Sequence, residues 1–281
     1  MDTASLGGLA NVNVELTSRC NKNCWMCGRR KVDREHPELA LQYGDMNFNL
    51  VRKIADELPP GIVVQLHNNG EALLYPRFGD AVKLFHRQIT NVVSNGKLLL
   101  AKAGEIIGNL DTIAISIFEN DPEADDQYHI ITDFLQLKGD SIPSVIFRIN
   151  GNVDVTRYEA LGLPLAQRIL HSPMGSFDYR RANPTIPEIG ICLDFLHHLA
   201  INKDGLASIC VRFDPKGLGI IGDVNNESLK EIWNSAKRRE WLAHHKIGKR
   251  SRVPLCAFCE FWGVPTGKHN SSIANNNSGN T

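Results

Sequence analysis

The sequence predicts an α/β fold, a partial (β/α)6 barrel followed by a small unit of a β-hairpin plus a helix. Short stretches of alternating apolar residues recur along the first 171 residues, and stretches of helical periodicity separate them. Polar residues alternate with the apolar ones within the strands. Parallel strands need crossover segments of this kind, so we expect one parallel sheet. An open, doubly wound sheet is the alternative.

The predicted strands cover residues 11–17, 62–67, 91–95, 112–117, 144–150 and 168–171. The predicted helices between them cover residues 49–58, 78–88, 97–110 and 125–138. A helix after the fifth strand is poorly supported, because Gly162 and Pro164 interrupt residues 156–166.

Several predicted strands carry polar residues on one face, whereas a buried parallel strand is usually apolar throughout. If the apolar residues pack on the helices, the polar ones line the inside of the barrel and make it a reaction chamber rather than a packed core. Edge strands with one solvated face are the alternative. The candidate substrate ligands on the inner faces are Glu15, Gln65, His67, Arg148, Asn150 and His171.

A second unit is predicted beyond the Gly- and Pro-rich stretch that follows residue 172. Residues 199–209 form a hairpin around a Lys-Asp-Gly turn, and Ser228 and Glu231 form a capping box that opens a helix. The predicted domains are therefore residues 1–180 and 181–265. Residues 266–281 are polar and of low complexity, so we expect disorder there.

Composition excludes some classes of function. The chain has 281 residues, a formal net charge of zero and 22% charged residues, with no electrostatic footprint of a nucleic-acid or membrane-binding protein. Its first 14 residues contain no apolar run, so we expect no signal peptide and a cytoplasmic protein. Clustered cysteines in that compartment more often bind metal or do redox work than form disulfides.

Three cysteines, Cys20, Cys24 and Cys27, directly follow the first predicted strand. Barrels of this class carry their chemistry at the C-terminal ends of the strands. Three thiolates can hold three irons of a [4Fe–4S] cluster and leave the fourth iron open to a substrate or cofactor. A zinc site or purely structural cysteines are the alternative.

This C-x3-C-x2-C motif resembles the signature of the radical SAM superfamily, including its position after the first strand. The resemblance implies that the open iron chelates the amino and carboxylate groups of S-adenosylmethionine (SAM). One electron then cleaves SAM to methionine and a 5′-deoxyadenosyl radical, which abstracts hydrogen from a C–H bond. It also implies a flavodoxin- or ferredoxin-type reductant as a partner.

Further segments resemble SAM-binding parts of the superfamily, in the same order. Residues 68–76 are similar to the Gly-Gly-Glu-Pro segment that binds the SAM amino group, with Asn69 and Ala72 replacing the first glycine and the proline. Residues 94–96 resemble the segment that meets the ribose or carboxylate. The SAM contacts implied by the resemblance are Met26, Asn69, Gly70, Glu71, Ser94, Asn95, Ser116 and Arg148.

The other four cysteines resemble the C-terminal extension called SPASM, in its shortened twitch form; they are Cys192, Cys210, Cys256 and Cys259. The two resemblances cover residues 11–262, and the spacing is most similar to that of radical SAM alcohol dehydrogenases of aminoglycoside biosynthesis. Four thiolates saturate one auxiliary [4Fe–4S] cluster, and they would equally saturate a zinc site. The resemblance favours two [4Fe–4S] clusters and SAM as cofactors.

With all seven cysteines assigned as ligands, an epimerase that quenches a radical with a free thiol is disfavoured. A saturated cluster can still accept an electron, so we expect a two-electron oxidation of a polar small molecule, of the alcohol-to-ketone type. The candidate catalytic residues are Glu15, His67, Arg148 and His171, with the base among Glu15 and the two histidines. A peptide-modifying maturase, a radical isomerase or a non-catalytic cluster-binding module are the alternatives.

Overall fold

The computed structural model describes residues 5–168, 191–257 and 259. Within these ranges nine strands form one sheet, in the order β6-β5-β4-β3-β2-β1-β7-β8-β9. In chain order they are β1 Asn11–Val14, β2 Val63–Gln65, β3 Ile89–Ser94, β4 Thr112–Phe118, β5 Ser144–Asn150, β6 Leu165–Arg168, β7 His198–Ile201, β8 Leu206–Ser208 and β9 Ile220–Asp223. Because β6 and β9 are edges, the sheet is not closed, which confirms the predicted partial barrel.

Helices lie in each crossover of the barrel, and all pairings from β1 to β6 are parallel. The α-helices of the described ranges are α1 Gly28–Glu35, α2 Phe48–Glu57, α3 Phe78–Leu84, α4 Ala103–Ile106, α5 Ala124–Lys138, α6 Thr156–Glu159, α7 Leu193–His197, α8 Leu229–Trp233 and α9 Ala236–Lys246. None of these helices is both long and apolar enough to cross a bilayer.

The alternation of the strands separates an apolar core from a polar interior. Val12 and Val14 of β1 are completely buried. The residues that alternate with them, Asn13 and Glu15, are only 4% exposed, and Ser116 of β4 is 6% exposed. Both faces of these strands are therefore covered, and the alternative of solvated edge strands is wrong for them.

The sixth strand begins earlier than predicted. Its pairing with β5 starts at Leu165, where the Phe147 amide donates to the Pro164 carbonyl at 2.8 Å. Gly162, with a φ of +69°, ends the short helix α6 and lets the strand begin directly after the proline. His171, the boundary near residue 180 and the tail 266–281 lie outside the described residues.

Two predicted helices also differ in extent from the helices of the structure. Only Ala103–Ile106 of the predicted helix 97–110 is regular, because Gly96 and Gly108 both have positive φ and break the segment at its ends. The helix opened by the Ser228 capping box ends at Trp233. Ser235 then caps a second helix by accepting a hydrogen bond from the Arg238 amide.

The C-terminal unit is continuous with the barrel sheet. β7 pairs parallel with β1, from Asn11 opposite His198 to Val14 opposite Ile201, and β8 and β9 follow as antiparallel strands. The predicted hairpin is present, with β9 as an unpredicted third strand. Lys53 of α2 adds a link by donating to the Val224 and Glu227 carbonyls.

Leu199→Ala tests whether this shared strand makes the two units unfold together. Leu199 is completely buried in β7, so its truncation should lower the free energy of unfolding by about 2–5 kcal/mol. Chemical denaturation followed by far-UV circular dichroism should show one transition shifted as a whole. The matched control is Leu137→Ala, at a position that is 61% exposed. Two separate transitions, with only one of them shifted, would contradict the coupling.

Candidate active site

Glu15 ties together three segments at the C-terminal edge of the sheet. One carboxylate oxygen accepts a hydrogen bond from the Asn69 amide, after β2, and the other accepts one from the Lys203 amide, in the β7–β8 turn, both at 3.1 Å. The residue itself begins the segment that leads from β1 to Cys20. The loops that carry the first cysteines and the C-terminal unit therefore share one buried anchor.

Gly70 packs directly against the backbone of the segment before Cys20. A Cβ atom at Gly70 would lie 2.2 Å from the Thr17 carbonyl oxygen and 2.8 Å from that of Arg19. The next amide, of Glu71, donates to the same Arg19 carbonyl at 2.8 Å. The Gly-Glu segment thus holds the cysteine loop by backbone contacts for which any side chain at position 70 is too large.

Glu71 joins the loops after β2 and β3. Its carboxylate accepts hydrogen bonds from the Ser94 hydroxyl at 3.0 Å, the Asn95 amide at 2.7 Å and the Leu73 amide at 3.2 Å. Burial raises the pKa of this carboxyl group, and the three hydrogen bonds oppose the shift. The structure thus brings together the predicted SAM-contact residues Glu71, Ser94 and Asn95. The Glu71 carboxylate itself is hydrogen-bonded to groups of the protein.

The three thiols of the first group are half-buried, and those of Cys20 and Cys27 act electrostatically on Cys24. Burial, and next the neighbouring thiols of Cys27 and Cys20, raise the pKa of Cys24 to about 12. Burial also raises the pKa of Cys20, whose sulfur accepts a contact from the Asn95 side-chain amide at 3.9 Å. Three thiolates here need a compensating positive charge, which metal ions supply, so the donor set fits an iron cluster.

Sequence reasoning missed the ion pair that fixes this loop. Lys22, between Cys20 and Cys24, is buried and its Nζ lies 2.7 Å from Asp121 and 3.2 Å from Glu123, both after β4. Asp121 is nearly inaccessible as well, with a side chain 2% exposed. A lysine among cysteines was visible in the sequence, but its partner is 99 residues away and carried no signal.

The four C-terminal cysteines are half-buried as well. Burial raises the pKa of Cys256, and the next causes are the thiols of Cys210, Cys259 and Cys192. Burial raises the pKa of Cys192 to about 11 as well. Four sulfur donors that influence one another in this way can saturate one cluster, as the sequence predicts.

No three His, Cys, Asp or Glu side chains among residues 5–168, 191–257 and 259 are grouped so that they could hold a metal ion. A four-iron cluster binds each cysteine at a different iron and therefore spreads its sulfur ligands over more space than a single ion does. The preference for an iron–sulfur cluster over zinc at both cysteine groups therefore rests on the resemblance drawn from the sequence.

His67 faces the barrel interior as a neutral ring. Its Nδ1 accepts a hydrogen bond from the Val93 amide at 3.2 Å, which places the ring proton on Nε2. Burial, and next the charge of Arg148, lower its pKa to about 3. His67 is therefore arranged as a hydrogen-bond donor rather than as a base.

Arg148 of β5 lies opposite Ser116 of β4, so both predicted residues share the interior face. Burial, and next the charges of Arg168 and Arg212, lower the Arg148 pKa to about 10, which leaves it cationic at neutral pH. Its Nε is buried and has no hydrogen-bond partner among the described residues.

The structure gives less support to three other residues that were predicted to contact substrate or SAM. The Asn150 amide donates to the Ile117 and Arg148 carbonyls, so it serves the strands themselves. Gln65 and Met26 are half-buried. Trp25, beside Met26, is 53% exposed and its indole donates to the Glu119 carbonyl.

A cavity lies beside Cys210 and the segment that leads to Cys20. Ser18 and Asn69 line it on the side of the first cysteine loop, and Cys210 and Arg212 line it on the side of the C-terminal unit. Glu15 lines it as well. A molecule bound there would contact residues next to both groups.

Comparison with known proteins supports the predicted class. Residues 192–260 match the SPASM family, described as an iron–sulfur cluster-binding domain. Two crystal structures of BtrN share the fold at 16% sequence identity. BtrN in complex with AdoMet and 2-DOIA gives a TM-score of 0.59 over 88% of this chain and 91% of BtrN. BtrN in an open conformation gives 0.54 over 89% and 92%.

A curated relative matches a shorter part of the chain. The tungsten-containing aldehyde ferredoxin oxidoreductase cofactor-modifying protein of Pyrococcus furiosus is 32% identical over 91 residues. The match spans 31% of this chain and about a quarter (24%) of that relative. These findings agree with the resemblance drawn from the sequence: the chain shares the fold of BtrN, and residues 192–260 match the SPASM iron–sulfur cluster-binding domain.

Gly70→Ala should displace the first cysteine loop. The added methyl group would collide with the Thr17 carbonyl, and overpacking of this kind costs about 1–3 kcal/mol. We expect a lower melting temperature and less iron bound after anaerobic reconstitution. Gly104→Ala is the control, because a Cβ there meets nothing within 4 Å and alanine favours the helix. Equal iron content in both variants would show that the close approach is not needed.

The neutral state of His67 predicts a pH dependence of stability. Its folded-state pKa lies below the ordinary value, so the unfolded chain binds a proton that the folded chain does not, and stability falls as pH drops from about 6.5 towards 3. The loss from this group should reach about 2 kcal/mol at about pH 5. His67→Asn, which keeps an acceptor for the Val93 amide, should lose less stability between about pH 7 and pH 5 in urea denaturation. The exposed His86→Asn serves as control; a wild-type slope in both variants would contradict the prediction.

Proposed function

We propose that the protein is a radical SAM oxidoreductase that oxidises a polar small molecule by two electrons, of the alcohol-to-ketone type. The observation that supports this most is the cavity lined by Ser18, two residues before Cys20, by Asn69 and by Cys210 of the C-terminal group. A substrate bound there would lie next to Cys210 and to the segment that leads to the first cysteine loop, so that hydrogen abstraction at one group and electron transfer at the other would act on one molecule. The fold shared with BtrN is consistent with this arrangement.

Cys20, Cys24 and Cys27 would hold the SAM-binding [4Fe–4S] cluster, and Cys192, Cys210, Cys256 and Cys259 the auxiliary one. Bound, these groups and SAM supply one-electron chemistry: reductive cleavage of SAM to methionine and a 5′-deoxyadenosyl radical, and a sink for one electron. A flavodoxin- or ferredoxin-type protein is the proposed source of the first electron.

The overall reaction balances with one SAM for each substrate. The substrate carbon loses a hydrogen atom, which ends in 5′-deoxyadenosine, and its hydroxyl group loses a proton as the C=O bond forms. The electron that the substrate releases offsets the electron that cleavage of SAM consumes. The products are the ketone, methionine, 5′-deoxyadenosine and one proton, so no additional oxidant is required.

The chain's own residues would bind the substrate and accept the proton. Glu15 lines the cavity and is our candidate for the base, because a carboxylate that accepts two amide hydrogen bonds still has lone pairs for a third. His67 would donate a hydrogen bond through Nε2. Arg148 and Ser116 would contact SAM from the interior face, as the resemblance implies.

Cys192→Ala tests the role of the auxiliary group. The variant should contain about four irons rather than about eight per chain. It should still form 5′-deoxyadenosine with SAM and a strong reductant, but it should form little oxidised product because the electron has no acceptor. Both products would be measured by mass spectrometry after anaerobic incubation with candidate alcohols.

Cys24→Ala is the matched control, since it removes a ligand of the first group and should abolish both products. A Cys192→Ala variant that makes the oxidised product at the wild-type rate would eliminate the electron-acceptor role. A rearranged product of unchanged oxidation state would favour the isomerase, and a modified peptide would favour the maturase.

A further inference from the structure

The end of helix α9 and the residues after it lie next to the C-terminal cysteine group. The Cys192 amide lies 3.5 Å from Nδ1 of His245, which is completely buried in the last turn of α9. Val253 is also completely buried, and its carbonyl accepts the Cys256 amide at 2.9 Å. Residues 246–252 therefore connect the contact with one C-terminal cysteine to the contact with another.

This connecting segment has a defined backbone. Gly248, with a φ of +71°, ends α9, and its amide donates to the His245 carbonyl at 3.2 Å. Nη1 of Arg250 donates to the Cys259 carbonyl at 2.5 Å. The segment thus has a contact with a third C-terminal cysteine, so its outer side has a fixed place relative to that group.

The outer side of the segment is cationic. Lys246, Lys249 and Arg252 are exposed, and no carboxylate of the described residues lies within 4.0 Å of their charged ends. The sequence has no aspartate or glutamate at residues 241–259. Ile247, which is 61% exposed, adds an apolar side chain among these cations. We call these three cations and Ile247 the basic surface.

A solvated helix end is the alternative for such a surface, but its position beside the C-terminal cysteines favours a redox role. In the proposed function the auxiliary cluster takes one electron from the substrate, and this electron must leave before the next turnover. Complexes between electron-transfer proteins are small and transient, and complementary charge guides their formation. A cationic exterior beside the cluster ligands is the surface that an acidic carrier protein requires.

We propose that the basic surface is the docking site of an acidic one-electron carrier protein, of the flavodoxin or ferredoxin type, which accepts the electron of the auxiliary cluster. In this step the reduced cluster loses one electron and the oxidised carrier gains one. The carrier reduced in this way can supply the electron that cleavage of SAM consumes, so the overall electron count is unchanged. Ile247 supplies the apolar centre of the contact and the cations supply its rim. The inference rests on the proposed function, because it names the partner of the auxiliary cluster.

The test is isothermal titration of oxidised flavodoxin into the anaerobically reconstituted full chain, without SAM or substrate. At about 10 mM ionic strength, where charges act over about 30 Å, we expect one binding site, and at about 1 M the binding should weaken. Lys246→Glu combined with Lys249→Glu should raise the Kd tenfold or more at the lower ionic strength. Lys83→Glu combined with Arg87→Glu reverses two exposed cations of the barrel, changes the total charge equally and should bind like the wild type.

Electron transfer is measured in a Cys24→Ala background, in which the first group lacks a ligand. After reduction, this chain should convert oxidised flavodoxin to its semiquinone in a stopped-flow experiment. Adding the two reversals at Lys246 and Lys249 should slow the reaction tenfold or more at low ionic strength, and the two rates should converge at about 1 M. Iron content and melting temperature should not change, because both lysines are exposed.

Absence of flavodoxin binding by the wild type, or equal weakening in both double variants, would overturn the proposal. Tighter binding of a duplex DNA than of flavodoxin would also overturn it, by assigning the surface to nucleic acid. If the Lys246 and Lys249 reversals prevent folding, glutamine at both positions should weaken binding by a smaller factor, and wild-type affinity there would count against the surface. Docking without formation of an oxidised product rejects the proposed function alone, and product formation without docking rejects this inference alone.

Discussion

Strand β1 pairs with β2 on one side and with β7 on the other, and this position determines where both cysteine groups lie. Parallel pairing aligns the C-terminal ends of the three strands at one edge of the sheet. The first cysteine loop leaves the end of β1, and the β7–β8 hairpin leads directly to Cys210. Cys210 and the segment that leads to Cys20 therefore line the same cavity because they emerge from neighbouring strands of one sheet.

Two buried carboxylates turn the loops at this edge into one frame. Glu15 joins the first cysteine loop to the segment after β2 and to the C-terminal hairpin, and Glu71 joins the segments after β2 and β3. Removing a carboxylate from water is unfavourable, and hydrogen bonds from backbone amides offset that loss. The hydrogen bonds of Glu15 and Glu71 consequently hold the loops after β1, β2, β3 and β7 to one another at the edge of the sheet where the cofactors would bind.

Charge is distributed unevenly in a chain whose formal net charge is zero. Burial raises the pKa of the Cys24 and Cys256 thiols, and the Arg148 guanidinium lies on the interior face of the sheet. Cys27 and Cys192 each occupy the N-cap position of a helix, α1 and α7, so each cysteine group has a member where a helix begins.

The local pattern of the sequence was enough to predict the fold class and the two cysteine groups, because alternation, spacing and the Gly70-Glu71 segment are properties of neighbouring residues. It was not enough to predict the contacts that join distant parts of the chain. The pairing of β7 with β1, the Lys22–Asp121 ion pair and the position of Arg148 opposite Ser116 depend on strand register, which only tertiary packing decides. The sixth strand was placed too late for a related reason: the end of helix α6 depends on backbone angles at Gly162 that its residue type permits but does not require. Residue spacing by itself therefore determined the fold class and predicted which sulfur atoms would bind metal, and long-range pairing decided what surrounds those sulfur atoms.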